Sequence, residues 1–201
     1  MKPPTKPLAF IEFVTLLALM VSMVAMATDI MLPALSIIGE DLGIADPNHT
    51  QLVVSSLFGG LALGQLLAGP ISDSIGRKVT IYLGFIIFIV GCVISVTAKS
   101  LDAMLIGRVL QGFGAASPRI ITVAIIRDTY EGRAIARIMS IMMAILILVP
   151  AIAPAIGQIL ITTINWQATF NFLIAMAVIG LVWFWLRQPE TLPIAARNSF
   201  F

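Results

Sequence analysis

The 201-residue chain holds one cysteine, one histidine and two tyrosines, and few charges of either sign. Cys92 alone excludes an intrachain disulfide, and no CxxC pair is present to suggest a redox or zinc site. His49 stands beside Asn48 and Thr50 between two apolar runs, and no HExxH, GxSxG or GxxxxGK[ST] pattern occurs. An enzyme is therefore not expected, nor a metal site or a bound cofactor. Charged residues make up 11% of the chain, whereas a soluble domain carries about a quarter. Lys and Arg exceed Asp and Glu by only two charges and are scattered along the chain, which excludes nucleic acid as a partner. What the sequence has in quantity is apolar surface: 59% hydrophobic residues and a mean hydropathy of +1.04. That composition implies an integral membrane protein whose first partner is lipid.

A helical span takes about 20 apolar residues. Six runs qualify, at 8–32, 50–71, 79–98, 103–126, 138–161 and 166–186. They are continuous rather than alternating with period two, which excludes a barrel and leaves helix as the form that satisfies its own backbone in lipid. The expected fold is an all-α bundle of six transmembrane helices over 8–186, with a tail at 1–7 and an emerging segment at 187–201. Lys2, Lys6, Arg77, Lys78, Arg127, Arg133, Arg137, Arg187 and Arg197 fall on one side of this arrangement, and only Lys99 on the other. The positive-inside rule then places both termini in the cytoplasm. Ala25-Met26-Ala27 after two lysines resembles a signal-peptide cleavage site, but the apolar run continues to Leu32 and is read as an uncleaved span.

Four ionisable residues fall at membrane depth: Glu12 and Asp29 in the first span, Arg108 and Arg119 in the fourth. Each costs at least ~2.5 kcal/mol there unless it has a partner or a cavity. Asp29 and Arg108 are expected at matching depth in the outer half, where a carboxylate–guanidinium relation can form. Glu12 and Arg119 fall in the inner half, where interfacial anchoring is the plain alternative. Arg108, Gln111, Gly112, Ala115 and Arg119 share one helical face, and Ser22 with Asp29 and Gln65 with Gln51 extend polar stripes onto two other spans. These stripes fit either an aqueous path or polar contacts between helices. Gly60 and Gly64 form a small-xxx-small pair suited to packing. Pro150, Pro154 and Gly157 mark one face of the fifth span, either a packing kink or a bend around a cavity. Between spans two and three, 69–78 is expected to be a reversing loop in which Asp73 and Arg77 pair with each other or with Arg127 and Asp128.

These segments resemble the major facilitator superfamily. Gly69-Pro-Ile-Ser-Asp73-Ser-Ile-Gly76-Arg77-Lys78 is similar to its signature loop, although Ser74 replaces a usual basic residue. The run 105–116 (LIGRVLQGFGAA) is similar to its fourth-helix motif, 149–157 (VPAIAPAIG) to a variant of its antiporter motif with Ala153 for the common glycine, and 189–193 (PETLP) to its sixth-helix exit. The run 27–35 (ATDIMLPAL) is similar to the first-helix motif of drug/proton antiporters, and 127–140 (RDTYEGRAIARIMS) resembles their bicyclomycin-resistance branch. The resemblance implies proton or substrate coupling by Asp29 and Arg108, a cavity lined by Ser22, Gln65, Gln111, Gly112, Ala115 and Arg119, and a conformational latch of Gly69, Asp73, Gly76, Arg77 and Asp128. It gives Pro150, Pro154 and Gly157 the role of discouraging leak. It implies efflux of a small amphipathic or cationic drug-like substrate across a bacterial cytoplasmic membrane, driven by the proton gradient and without a cofactor. It also implies half a transporter: a truncated product, a chain that pairs with a separate second half, or one that homodimerises. A non-transporting membrane-interaction protein is the reading from another class.

Overall fold

Apolar runs in lipid must bond their own backbone. In the computed structural model, which describes residues 8–44, 46–193 and 197, every such run is a helix. The tail 1–7 and residues 194–196 and 198–201 of the emerging segment lie outside the described residues. The elements are α1 (Phe10–Asp29), a 3-10 turn (Leu32–Ala34), α2 (Leu35–Asp41), α3 (Pro47–Thr50), α4 (Leu52–Ile75), α5 (Arg77–Val96), α6 (Leu101–Thr129), α7 (Arg133–Thr163) and α8 (Gln167–Arg187). Among the described residues six stretches are long and apolar enough to cross a membrane, the first being the nearly continuous rod Phe10–Asp41.

Three expectations about connectors change. The rod continues twelve residues beyond Asp29, from 29 to 41, so the acid sits at a break within a long helix rather than near its end. Pro33 supplies the break: it has no N–H for the helical ladder and tightens the chain into the 3-10 turn. The segment 69–78 is not a loop. Helix α4 runs through Pro70 to Ile75, and Gly76 alone reverses the chain at φ 105°, a conformation that a side chain would strain. Likewise α6 and α7 extend to Thr129 and from Arg133, so Arg127, Asp128, Arg133 and Arg137 ride on helix ends. Ser100 starts α6 by accepting the Ala103 N–H at 3.3 Å, and Asp46 starts α3 by accepting from Asn48 at 2.9 Å.

Helix α6 is the hub of the bundle, and glycines let its neighbours come close. A Cβ at Gly60 would run into the Val109 carbonyl, one at Gly64 into Phe113, and one at Gly112 into the Leu57 carbonyl. On the opposite side of α6, Gly84 and Gly114 face each other's backbones, as do Gly91 and Gly107. Lipid supplies no hydrophobic drive between helices, so close backbone packing of this kind is what holds them together. Helix α1 fills the space beside α6 with Leu16, Leu17, Met20 and Met23, all fully buried. Helix α7 leans on α1 and leaves Met143, Ile147, Leu148, Ile152 and Ile159 exposed along its outer side. We expect Gly60→Ala to destabilise the detergent-solubilised protein by about 1–3 kcal/mol through overpacking. Gly59→Ala, which meets nothing within 4 Å, is the control and is expected to leave the thermal midpoint unlowered.

Candidate functional site

Arg108 is fully buried in the seam of α1, α4 and α6. A guanidinium offers five donors in a fixed plane. Its Nε donates to the Val53 carbonyl of α4 at 3.0 Å and its Nη1 to the Ala27 carbonyl of α1 at 3.1 Å. Nη1 also donates to Gln111 Oε1, one turn along α6, and Gln111 Nε2 in turn meets Cys92 Sγ of α5 at 3.1 Å. The Phe170 ring of α8 lies 5.8 Å from the guanidinium carbon, within cation–π range. The Ala27 carbonyl is available because α1 ends at Asp29, and the last carbonyls of a helix lack helical donors. Among the described residues Arg108 Nη2 is buried without a partner.

The carboxylate–guanidinium relation that matching depth allowed for Asp29 and Arg108 does not form: among the described residues no ion pair reaches either side chain. The two are linked instead through the α1 backbone, since Arg108 holds the carbonyl two residues before Asp29. Asp29 itself is half-buried at the break. Helix α7 closes on the same point: a Cβ at Gly157 would collide with the Ile30 carbonyl, and Ala153 is fully buried one turn earlier. Pro150 and Pro154 lie within the continuous α7, half-buried. The structure thus gathers Asp29, Arg108 and the proline-glycine helix around one turn of α1.

The other expected lining residues divide. Gln111, Gly112 and Ala115 are buried in helix seams: Gly112 packs on the Leu57 carbonyl of α4, and the Gln111 backbone on Gly91 of α5. Ser22 is half-buried and bonds its own helix at the Ala18 carbonyl, 2.7 Å away, and Gln65 is half-buried on α4. Arg119 does line a cavity of about 220 Å³ between α1, α6 and α7.

At the other end of α6 the charge cluster forms as the sequence suggests. Arg77 pairs with Asp73 one turn back and with Asp128 at 3.3 Å, and its Nη1 donates to Ser72 Oγ at 2.6 Å. Gly69, Asp73, Arg77 and Asp128 border a pocket of about 410 Å³ between α4 and α6. Ser74 bonds its own helix at Ile71 and stays out of the cluster. Sequence reasoning missed the rest of this assembly. Glu190 accepts the N–H groups of Arg77 and Lys78, both at 3.1 Å, and so caps the otherwise unsatisfied start of α5. Lys78 Nζ donates to the carbonyls of Trp185 and Gln188 at the end of α8. Thr191 donates to Asp128 at 3.1 Å, so one carboxylate serves both Arg77 and the segment after α8. Only the resemblance of 189–193 to an exit motif singled this segment out, with no contact attached. Glu12 also finds its partner in α8: Arg187 donates to both its oxygens, at 2.6 and 2.8 Å.

Glu190→Ala is expected to lower stability by about 1 kcal/mol through loss of the helix cap. Amide exchange should rise at Arg77 and Lys78, read by mass spectrometry, with the middle of α5 unaffected.

Known proteins share this architecture. The chain's fold matches that of a crystal structure of the human organic anion transporter MFSD10 (TETRAN) with a TM-score of 0.70 at 19% identity, covering 94% of this chain and 50% of that one. It is 33% identical over 168 residues to multidrug resistance protein MdtL of Klebsiella pneumoniae, covering 83% of this chain and 42% of the relative. It is 30% identical to multidrug resistance protein D of Escherichia coli, covering 94% and 48%, and 30% identical to a bicyclomycin resistance protein homolog of Haemophilus influenzae, covering 92% and 49%. The chain therefore spans about half the length of these curated relatives. The Major Facilitator Superfamily model matches residues 17–199, and with the six helices, the Arg77 cluster and the buried Arg108 in place, the chain belongs to that superfamily of multi-pass membrane transporters.

Proposed function

We propose that this chain is the N-terminal six-helix half of a proton-coupled multidrug efflux transporter of the bicyclomycin-resistance branch. The names of its relatives support the drug class, and one observation carries the coupling reading. Asp29 is a half-buried carboxylate with no ion-pair partner among the described residues, at a helix break held by Arg108 and covered by Gly157. Proton affinity of a carboxylate rises as water leaves and falls as a guanidinium approaches, so a hinge beside such a group can convert motion into proton binding and release. In this reading Asp29 binds and releases the proton that drives efflux, and Arg108 sets the position of the break. The cluster of Asp73, Arg77 and Asp128 latches the two halves in one state, and the Pro150–Gly157 face of α7 seals the path.

A six-helix half rocks against a second one in such machines. The exposed apolar side of α7 (Met143, Ile147 and Ile152 among it) is where a second half, on a continued chain, a separate chain or a second copy, would rest. Both termini then lie in the cytoplasm and the protein in the bacterial cytoplasmic membrane. An apolar face alone also serves a non-transporting partner of another transporter, and the test separates the two.

In everted vesicles carrying the chain with its second half, Asp29→Asn is expected to reduce proton-driven efflux of a fluorescent drug at least about tenfold, and Asp29→Glu to retain part of it. Efflux left intact by Asp29→Asn would contradict the coupling role, and no efflux from the wild type under any pairing would favour the non-transporting partner.

A further inference from the structure

The cavity between α1, α6 and α7 has a composition that the coupling site does not explain. Its wall includes Val21, Thr122, Met139, Met142 and Met143, and its one charged lining residue is Arg119. Among the described residues Arg119 enters no ion pair and no side-chain hydrogen bond. The carboxylates of the charge clusters are engaged with other groups: Asp73 and Asp128 hold Arg77, Glu12 holds Arg187 and Glu190 caps α5. Arg119 lies eleven residues along α6 from Arg108, about 16 Å, so the Asp29 break is far from it. A cation at this depth is costly unless a cavity or counter-charge receives it. Methionine walls adapt to varied apolar shapes and make favourable sulfur–aromatic contacts.

We propose that this cavity binds the acidic head of an amphipathic organic anion, with Arg119 as the charge partner and Met139, Met142 and Met143 gripping an aromatic body. The proposal rests on reading the chain as part of an efflux transporter, and narrows its substrate class from amphipathic or cationic to amphipathic and anionic. At about 220 Å³ the cavity takes a head and one ring system, less than the 300–1,000 Å³ of a complete ligand pocket. The rest of the ligand would lie on the open α6–α7 side, where a second half closes.

The test is equilibrium binding of radiolabelled naphthalene-2-sulfonate to the purified chain in phosphatidylcholine nanodiscs, with empty nanodiscs subtracted. The expected result is saturable binding that unlabelled naphthalene-2-sulfonate displaces and N,N,N-trimethyl-2-naphthylammonium does not. Arg119→Gln should weaken binding about tenfold or more, and Arg119→Lys should restore most of it. Equal displacement by the ammonium compound, indifference to Arg119→Gln in a variant that elutes and unfolds like wild type, or absence of saturable binding would each overturn the proposal. Loss of binding on adding phosphatidylglycerol would reassign the site to a lipid headgroup and overturn it as a substrate site. Because this assay needs no proton gradient, its failure leaves the Asp29 reading standing, and a failure of Asp29-dependent efflux leaves the anion site standing.

Discussion

A guanidinium buried among helices without a carboxylate sets the conditions for the rest of this bundle. Arg108 meets backbone carbonyls on α1 and α4 and a glutamine on its own helix. A charge in that position costs several kcal/mol unless fixed dipoles receive it. The dipoles are there because α1 stops at Asp29 and because glycines bring α4 close enough to present Val53. Helix break, glycine seams and arginine therefore depend on one another: a bulkier residue at Gly60 or Gly112 would push α4 away and leave Arg108 unsatisfied.

The same dependence explains the asymmetry of the bundle. Helices α4, α5 and α6 form a tight backbone-to-backbone core, while α7 touches mainly α1 and exposes much of its apolar length. Gly157 joins α7 to the α1 break by packing on the Ile30 carbonyl. At the far end, Glu190, Thr191 and Lys78 tie the exit of α8 to the start of α5 and to the Arg77 cluster. The segment just beyond α8 is thus joined to the cluster by direct hydrogen bonds.

Much of this was legible in the residues. Hydropathy located the six membrane-length helices found among the described residues, because lipid leaves an apolar run few alternatives, and the pairing of Asp73 with Arg77 was anticipated, although in a loop rather than across a helix end. Three things were not legible. Helical-wheel geometry put Gln111 and Gly112 on the face of Arg108 but could not say that the face points into a seam, since a polar stripe suits dry packing and wet cavities alike. Matching depths suggested an Asp29–Arg108 pair, whereas the guanidinium found a carbonyl instead, an acceptor that every residue carries and no pattern reveals. The roles of Glu190 and Thr191 depend on contacts more than 60 positions apart in the chain, which periodicity does not encode.

Hydrogen–deuterium exchange across α1 bears most directly on the claim that Arg108 fixes the break beside Asp29. With Arg108 replaced by methionine, which keeps the volume but removes the donors, exchange at residues 30–35 should rise at least about tenfold while residues 120–129 of α6 stay protected. Unchanged exchange at 30–35 in a variant that remains folded would show that the break holds without the arginine, and would contradict the account.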